Sequence, residues 1–414
     1  MKTFKITKKT IIFSIVTWLM IFQSALQLKI DIMRYIDEVM AIVGLFCIFV
    51  YYGTTRRLIK KKNILIPVVA LGGFIVTGLV GNAIFDYQPL GLVLTDLFTN
   101  IKFYLALVAG YYFVKKYGIR IAEKGMLFAT EVSITIVFVV FMADRLLNIY
   151  GGEYRYGLRS AVLFFKHETY LAAAMVFAIS VVLLFHRRHY KLFTSLGLII
   201  LFFTLRGKAI GATCTLIYLY AMHIQFNRKP KRWQIALVGI FAILLGWSQI
   251  KFYYIELAGA SARSVLTLTS LKVAKDYFPI GTGFATFASD SAAKLYSPVY
   301  VKYGLHNFYE LNPNNPGAFF NDTFWPIIIG QTGVIGTICY TFVVLKMFRH
   351  CVRKKEEDKF QYVVSMFIMI YLLISTTSEP AFNNSISVPL AFLLGAIFSM
   401  GRAEVDSHKE VKRI

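Results

Sequence analysis

LFTSLGLIILFFTLRGKAIGATCTLIYLYAM, residues 192–222, is two apolar runs joined by a short polar turn. Each run approaches the length of roughly 20 apolar residues that a bilayer-crossing helix needs. The turn, TLRGKAIGAT (204–213), holds Arg206 and Lys208 around one glycine with no acidic residue beside them. Such a pattern predicts a membrane hairpin with two bare cations at its surface.

The rest of the chain has the same character. Of 414 residues, 57% are hydrophobic and 16% aromatic, more apolar surface than a soluble chain of this length can hide. The expected class is an all-α polytopic membrane protein, a single transmembrane domain over residues 1–414. The apolar runs place about twelve spans, at 10–28, 36–53, 64–85, 90–114, 126–147, 160–185, 191–205, 209–225, 233–250, 323–346, 360–377 and 386–401. The first run follows Lys8-Lys9 as a signal peptide would, but more spans follow at once, so a retained helix is expected. Cys47, Cys214, Cys339 and Cys351 lack CxxC or Cys/His spacing, which argues against a disulfide framework and a zinc site; no cofactor is expected.

The net charge of +23 suggests nucleic acid at first sight, and topology explains it better. With the N-terminus in the cytoplasm, 30 of the 45 Lys and Arg fall in cytoplasmic connections and 12 outside, half of those in one loop, 251–321. That asymmetry is the positive-inside rule. It puts both termini, including a short tail at 402–414, in the cytoplasm, and no nucleic acid partner is expected.

The hairpin at 204–213 therefore turns on the outer face, where the bias disfavours its cations. The preceding outer connection, GGEYRYGLRSAVLFFKHETYLAAA (151–174), adds Arg155 and Arg159. Lys166, His167 and Glu168 then fall about two turns into the sixth span, roughly 10 Å deep, where ionisable groups normally face a cavity. Arg263 opens a further outer segment. Arginine suits pyrophosphate because its planar fork gives two parallel charge-assisted bonds; anchoring to lipid phosphates is the plainer alternative for any one residue.

Residues 262–287, ARSVLTLTSLKVAKDYFPIGTGFATF, predict an amphipathic helix at the membrane face through Val265, Leu268, Leu271 and Val273 with Lys272 and Lys275. Pro279 ends it, and Gly281 and Gly283 read as a turn. In 306–336, HNFYELNPNNPGAFFNDTFWPIIIGQTGVIG, Asn321 and Asp322 are expected to cap the next helix. Gly330, Gly333 and Gly336 are expected to give it a smooth face. His306, the one outer-loop histidine, has a chemistry suited to a base near neutral pH.

Together these stretches resemble the O-antigen polymerase and ligase superfamily. Residues 155–172 are similar to its arginine, glycine and intramembrane polar pair, and LRGKAIGA (205–212) to its Ser-Arg-Gly-Ala turn. Residues 262–287 resemble its arginine-to-GxG segment, and FFNDTFWPIIIGQTGVIG (319–336) its polar pair ahead of a ten-residue stretch and GxxG. The resemblance covers roughly residues 150–340, and the first 120 by topology only. It implies a metal-independent, inverting C-type glycosyltransferase in a bacterial plasma membrane, acting on oligosaccharide carried by undecaprenyl pyrophosphate. Ligases carry a histidine in the polar pair where this chain has Asn321-Asp322, which favours a polymerase of capsule, O-antigen or exopolysaccharide.

On that reading Arg206 and Arg263, helped by Arg155, Arg159 and Lys208, grip the donor pyrophosphate, at roughly 3–4 kcal/mol per strong donor. Asp322, then His306 or Glu168, takes the acceptor proton. Tyr296, Tyr300, Tyr303 and Phe308 are expected to offer ring faces to sugars or to belt the interface. Membrane lipid and a chain-length regulator are the other expected partners. A ligase attaching finished glycan to an envelope acceptor shares this chemistry, and a polysaccharide flippase shares the cation-lined cavity.

Overall fold

The computed structural model describes residues 7–55, 62–227, 261–315 and 319–401. Among the described residues twelve helices of twelve residues or more carry the fold: α1 Lys8–Gln27, α2 Ile36–Thr55, α3 Lys62–Phe85, α4 Leu90–Tyr117, α5 Arg120–Leu147, α6 Glu168–Phe185, α7 Tyr190–Phe203, α8 Gly207–Tyr220, α9 Ala262–Asp276, α10 Trp325–Arg353, α11 Lys359–Ser375 and α12 Val388–Ser399. One short antiparallel hairpin, β1 Tyr154–Arg155 and β2 Leu158–Arg159, is the sheet among the described residues. The ninth expected span (233–250) and the tail (402–414) lie outside those residues.

Among the described residues six segments are long and apolar enough to cross a membrane: Lys8–Gln27, Ile66–Phe85, Leu90–Tyr117, Arg120–Leu147, Glu168–Phe185 and Trp325–Glu356. Shorter apolar helices, such as Tyr190–Phe203 and Lys359–Ser375, pack among them. The molecule is an all-α membrane protein. Its innermost helix is α6, whose residues are all buried apart from Thr169 and Tyr170, against α1, α5, α7 and α11. A helix apolar all round belongs in such a position. Elsewhere small residues set the spacing: Gly110 of α4 and Gly395 of α12 each lie against the other helix's backbone, at Phe392 and Leu107, where a side chain would force the helices apart.

Helix α6 starts eight residues later than the sequence pattern predicts. Residues 160–167 are irregular, with Ala161, Leu163 and Phe165 buried, and the Ala161 amide donates to the Phe203 carbonyl at 2.8 Å. His167 is therefore the N-cap, its Nδ1 facing the Thr169 amide at 3.2 Å. Lys166, His167 and Glu168 stand at the mouth of the helix rather than two turns inside it. The buried coil continues the hydrophobicity of the helix, so hydropathy alone does not separate the two.

Beyond the helices, residues 261–315 and 319–324 form a cap with a core of its own, in which Leu266, Phe287, Tyr300 and Phe320 are buried together. Helix α9 packs on α10, and its Val265, Leu266, Thr269 and Val273 are buried. Only Leu268 and Leu271 of its aliphatic residues stay exposed, so the four expected on one membrane-facing stripe divide between two faces. Tyr300 is wholly buried and stacks on Phe320, with centroids 5.3 Å apart, and Tyr296 packs against the same pair. These rings build the cap; they do not form a belt.

The cap is keyed into the bundle at a break in α10. Gly333 has φ +57°, a left-handed value that interrupts the helix, and its backbone lies against Gly281 and Pro279. The break frees the Gly330 and Gln331 carbonyls, which accept from the Thr282 and Gly283 amides at 3.2 and 2.8 Å. In return the Ile335 amide donates to the Pro279 carbonyl at 3.2 Å. Irregular backbone among apolar helices persists only where its polar groups are paired in this way. The expected smooth glycine face is instead an interlock, and Gly281 and Gly283 are part of it rather than a free turn.

Candidate functional site

The chain leaves α7 through Thr204 and Leu205, the latter at φ +53°, and enters α8 with Arg206 extended in the cap position. That turn aims the guanidinium back over the start of α6. Nη2 of Arg206 donates to Glu168 Oε2 at 2.8 Å and lies 2.7 Å from His167 Nε2. The other Glu168 oxygen accepts from Ser160 Oγ at 2.8 Å. A neutral imidazole has one lone-pair nitrogen, so His167 serves either Arg206 or the α6 cap at any moment. Burial first, then the adjacent Arg206, holds His167 below its ordinary pKa. Nε of Arg206 is buried and lacks an acceptor among the described residues.

Two residues further, Lys208 is buried and its Nζ meets Glu379 Oε1 at 2.5 Å. Glu379 stands in the turn between α11 and α12, its amide tied to the Ser375 carbonyl at 3.0 Å. A third pair comes from the cap: Nε of Arg263, in the first turn of α9, donates to Asp322 Oδ2 at 2.8 Å. Burial raises the Asp322 carboxyl above its ordinary value, Arg263 opposes that rise, and Glu310 and Glu379 reinforce it.

These pairs form one neighbourhood. The charges of Arg206 and Arg263 both act on Lys208, and that of Glu379 acts on Asp322. Two segments that bring cations, the start of α8 and the start of α9, and three that bring carboxylates thus meet at one end of the bundle. The hairpin cations are not bare, as the sequence alone suggests; Glu168 and Glu379 neutralise them. A census of Lys and Arg does not find Glu379 in TTSEPAFNN (376–384), because that connection holds neither.

Other expected members lie apart. Arg159 binds Asp144 Oδ2 at 2.9 Å and the Asp144 and Tyr150 carbonyls, which makes it a tie between α5 and the β-hairpin. Arg155 pairs with Glu153 at 2.6 Å, and Glu153 reaches Arg206 at 4.0 Å, so Arg155 sits at the rim. His306 lies in the 3-10 turn Leu305–Asn307, with its carbonyl accepting from Asn312 at 2.8 Å. Among the described residues no hydrogen bond or ion pair links His306 to Asp322. Nor does the polar pair cap α10: Phe324 takes the cap position without a side-chain bond. Pro326 in the first turn removes one donor that a cap would otherwise have to satisfy. Asn321 Nδ2 donates instead to Asp290 Oδ2 at 2.9 Å. Beside Asp322 opens a cavity of about 400 Å³.

Comparison with protein-family models and with curated proteins finds no match to this chain.

Proposed function

We propose that the protein is a membrane glycosyltransferase that polymerises oligosaccharide repeats carried on undecaprenyl pyrophosphate. The observation that carries this reading is the convergence of Arg206–Glu168, Lys208–Glu379 and Arg263–Asp322, the last of which borders an open cavity through Asp322. The proposed topology has twelve spans, cytoplasmic termini and residues 251–321 outside. It rests on the charge count, with basic Lys115, Lys116, Arg187 and Lys354 at the bundle end opposite the pairs.

In the proposed reaction the donor pyrophosphate shares the guanidinium and ammonium groups with their carboxylates. The Nε–H of Arg206, which has no acceptor among the described residues, supports this, since a buried donor without an acceptor costs free energy that an anion would recover. An acceptor hydroxyl oxygen forms a bond to the donor anomeric carbon, on the face opposite the pyrophosphate. The bond from that carbon to the pyrophosphate oxygen breaks, and the electron pair leaves with the phosphate. Asp322 takes the hydroxyl proton; its raised proton affinity suits a base better than a free carboxylate would. Glu168 is the weaker choice, being held on both oxygens.

Purified protein in lipid nanodiscs, given undecaprenyl-pyrophosphate-linked repeats from a polysaccharide-producing bacterium, tests the reading. A ladder of lengthened lipid-linked product is expected. Movement of the lipid across vesicles without lengthening would make the protein a transporter, and transfer only to a non-lipid acceptor would make it a ligase.

A further inference from the structure

We infer that the cavity beside Asp322 is the acceptor-sugar subsite and that it takes an uncharged pyranose. The inference rests on the transferase reading and adds a location and a substrate class to it.

The cavity walls divide by chemistry. Phe319, 49% exposed, presents a ring at the wall, a surface suited to the C–H face of a sugar. Opposite chemistry comes from Asp290, Asn321 and Asp322. The Asn321 amide nitrogen is spent on Asp290, while its Oδ1 is buried and has no donor among the described residues. A buried acceptor without a donor is a place for a hydroxyl. Hydroxyls bound by Asp290 and Asn321 would hold a neighbouring hydroxyl at Asp322, the next residue along the chain.

Charge then selects among sugars. Arg263 neutralises Asp322, and Lys208 neutralises Glu379. What remains near the cavity is Asp290 and Glu310 against Lys294, a net negative corner. A uronate carboxylate entering there would lack a partner and meet like charge, whereas hydroxyls would find acceptors. Specificity of this kind comes from the unpaired group in the wrong ligand.

Saturation-transfer NMR on the full chain in nanodiscs tests this, using as probes the methyl pyranosides of glucose, galactose, mannose and N-acetylglucosamine, with methyl glucuronide and methyl galacturonide. At least one uncharged probe should give a signal on the wild type, and its affinity should fall about tenfold in Phe319→Ala. The uronides should be silent on the wild type and gain signal on Asp290→Asn, a gain that misfolding cannot imitate. Uronides binding the wild type as well as the uncharged probes, silence from the whole uncharged panel, or an unchanged Phe319→Ala would overturn the assignment. The assay contains no lipid donor, so binding with no polymerisation removes the proposed function and leaves the sugar site. Polymerisation whose acceptor KM is unmoved in Phe319→Ala removes the site and leaves the function.

Discussion

Lys208 of α8 and Glu379 of the α11–α12 turn face each other at 2.5 Å, with side-chain exposures of 5% and 12%. Neither charge is tolerable there alone. Removing one member of a buried pair typically costs about 3–5 kcal/mol, whereas replacing both is close to neutral. Lys208→Met should therefore lower the melting temperature, and Lys208→Met with Glu379→Gln should restore it without restoring polymer yield. Circular or fluorescence-detected thermal unfolding, read beside product formation, checks this. Full activity in the double variant would exclude Lys208 from donor binding.

Arg206 is expected to matter for its fork as well as its charge. Arg206→Lys should be impaired and Arg206→Ala worse, by about one to two orders of magnitude in turnover for a charge-assisted contact of roughly 1.5–3 kcal/mol. Because Glu168 is only 3% exposed at its side chain, Arg206→Ala should also destabilise the fold. Adding Glu168→Gln separates the effects: stability recovers and turnover does not. Polymer length and yield, normalised to protein in the membrane, provide the measurement, and wild-type yield from Arg206→Ala would remove the pyrophosphate grip.

The pH profile follows from Asp322. A base works deprotonated, and burial holds this carboxyl above its ordinary value, so the acid limb of kcat/KM should lie above the range of a free aspartate. Arg263 pulls that value down, so Arg263→Gln should move the limb to higher pH. Folding responds in the same sense: a carboxyl with a raised folded pKa favours the native state at low pH, and that contribution is lost as pH rises through the raised value. Asp322→Asn should abolish the limb and the polymer while protein accumulates normally.

Gly333→Ala should be severely destabilising, because φ +57° disfavours any Cβ and Gly281, Ile280 and Pro279 occupy the space it would need. Gly72→Ala in α3 has nothing within 4 Å of the new carbon and serves as the control. Thermal unfolding of the two variants should differ by well over about 1 kcal/mol; similar melting would show that the interlock does not hold the cap.

Orientation is open to a labelling test in a variant without native cysteines. An impermeant maleimide on intact cells should modify Lys294→Cys and leave Arg188→Cys untouched, both residues being exposed. The reverse pattern would invert the proposed topology.

Much of the helical architecture was legible because hydropathy is a local property: α1, α4, α5 and α11 begin and end near where apolar residues give way to charge or glycine. Local reading failed where two environments share one composition. Residues 160–165 are as apolar as α6 itself, yet they are coil whose amide at Ala161 is spent on Phe203. Asn321 and Asp322 have the chemistry of caps, and only their distant partners Asp290 and Arg263 show that they are used elsewhere. Pairing across the chain also explains why the cations at 206 and 208 read as free. Their acids, Glu168 and Glu379, lie in other connections, and the arrangement of helices alone brings them together.

The exchange of main-chain bonds between residues 279–283 and the broken turn of α10 has a mechanical meaning. Side-chain contacts can be lost one at a time, but a seam of paired backbone gives way only as a unit. Arg263 and Asp322 are both carried by chain anchored at that seam, so a pull on the cap is borne by a membrane helix before it reaches them. A polymerase must hold its product through many additions while the load on that product changes. On the proposed reading, the stiffness of this joint keeps the distance between grip and base the same for the last repeat as for the first.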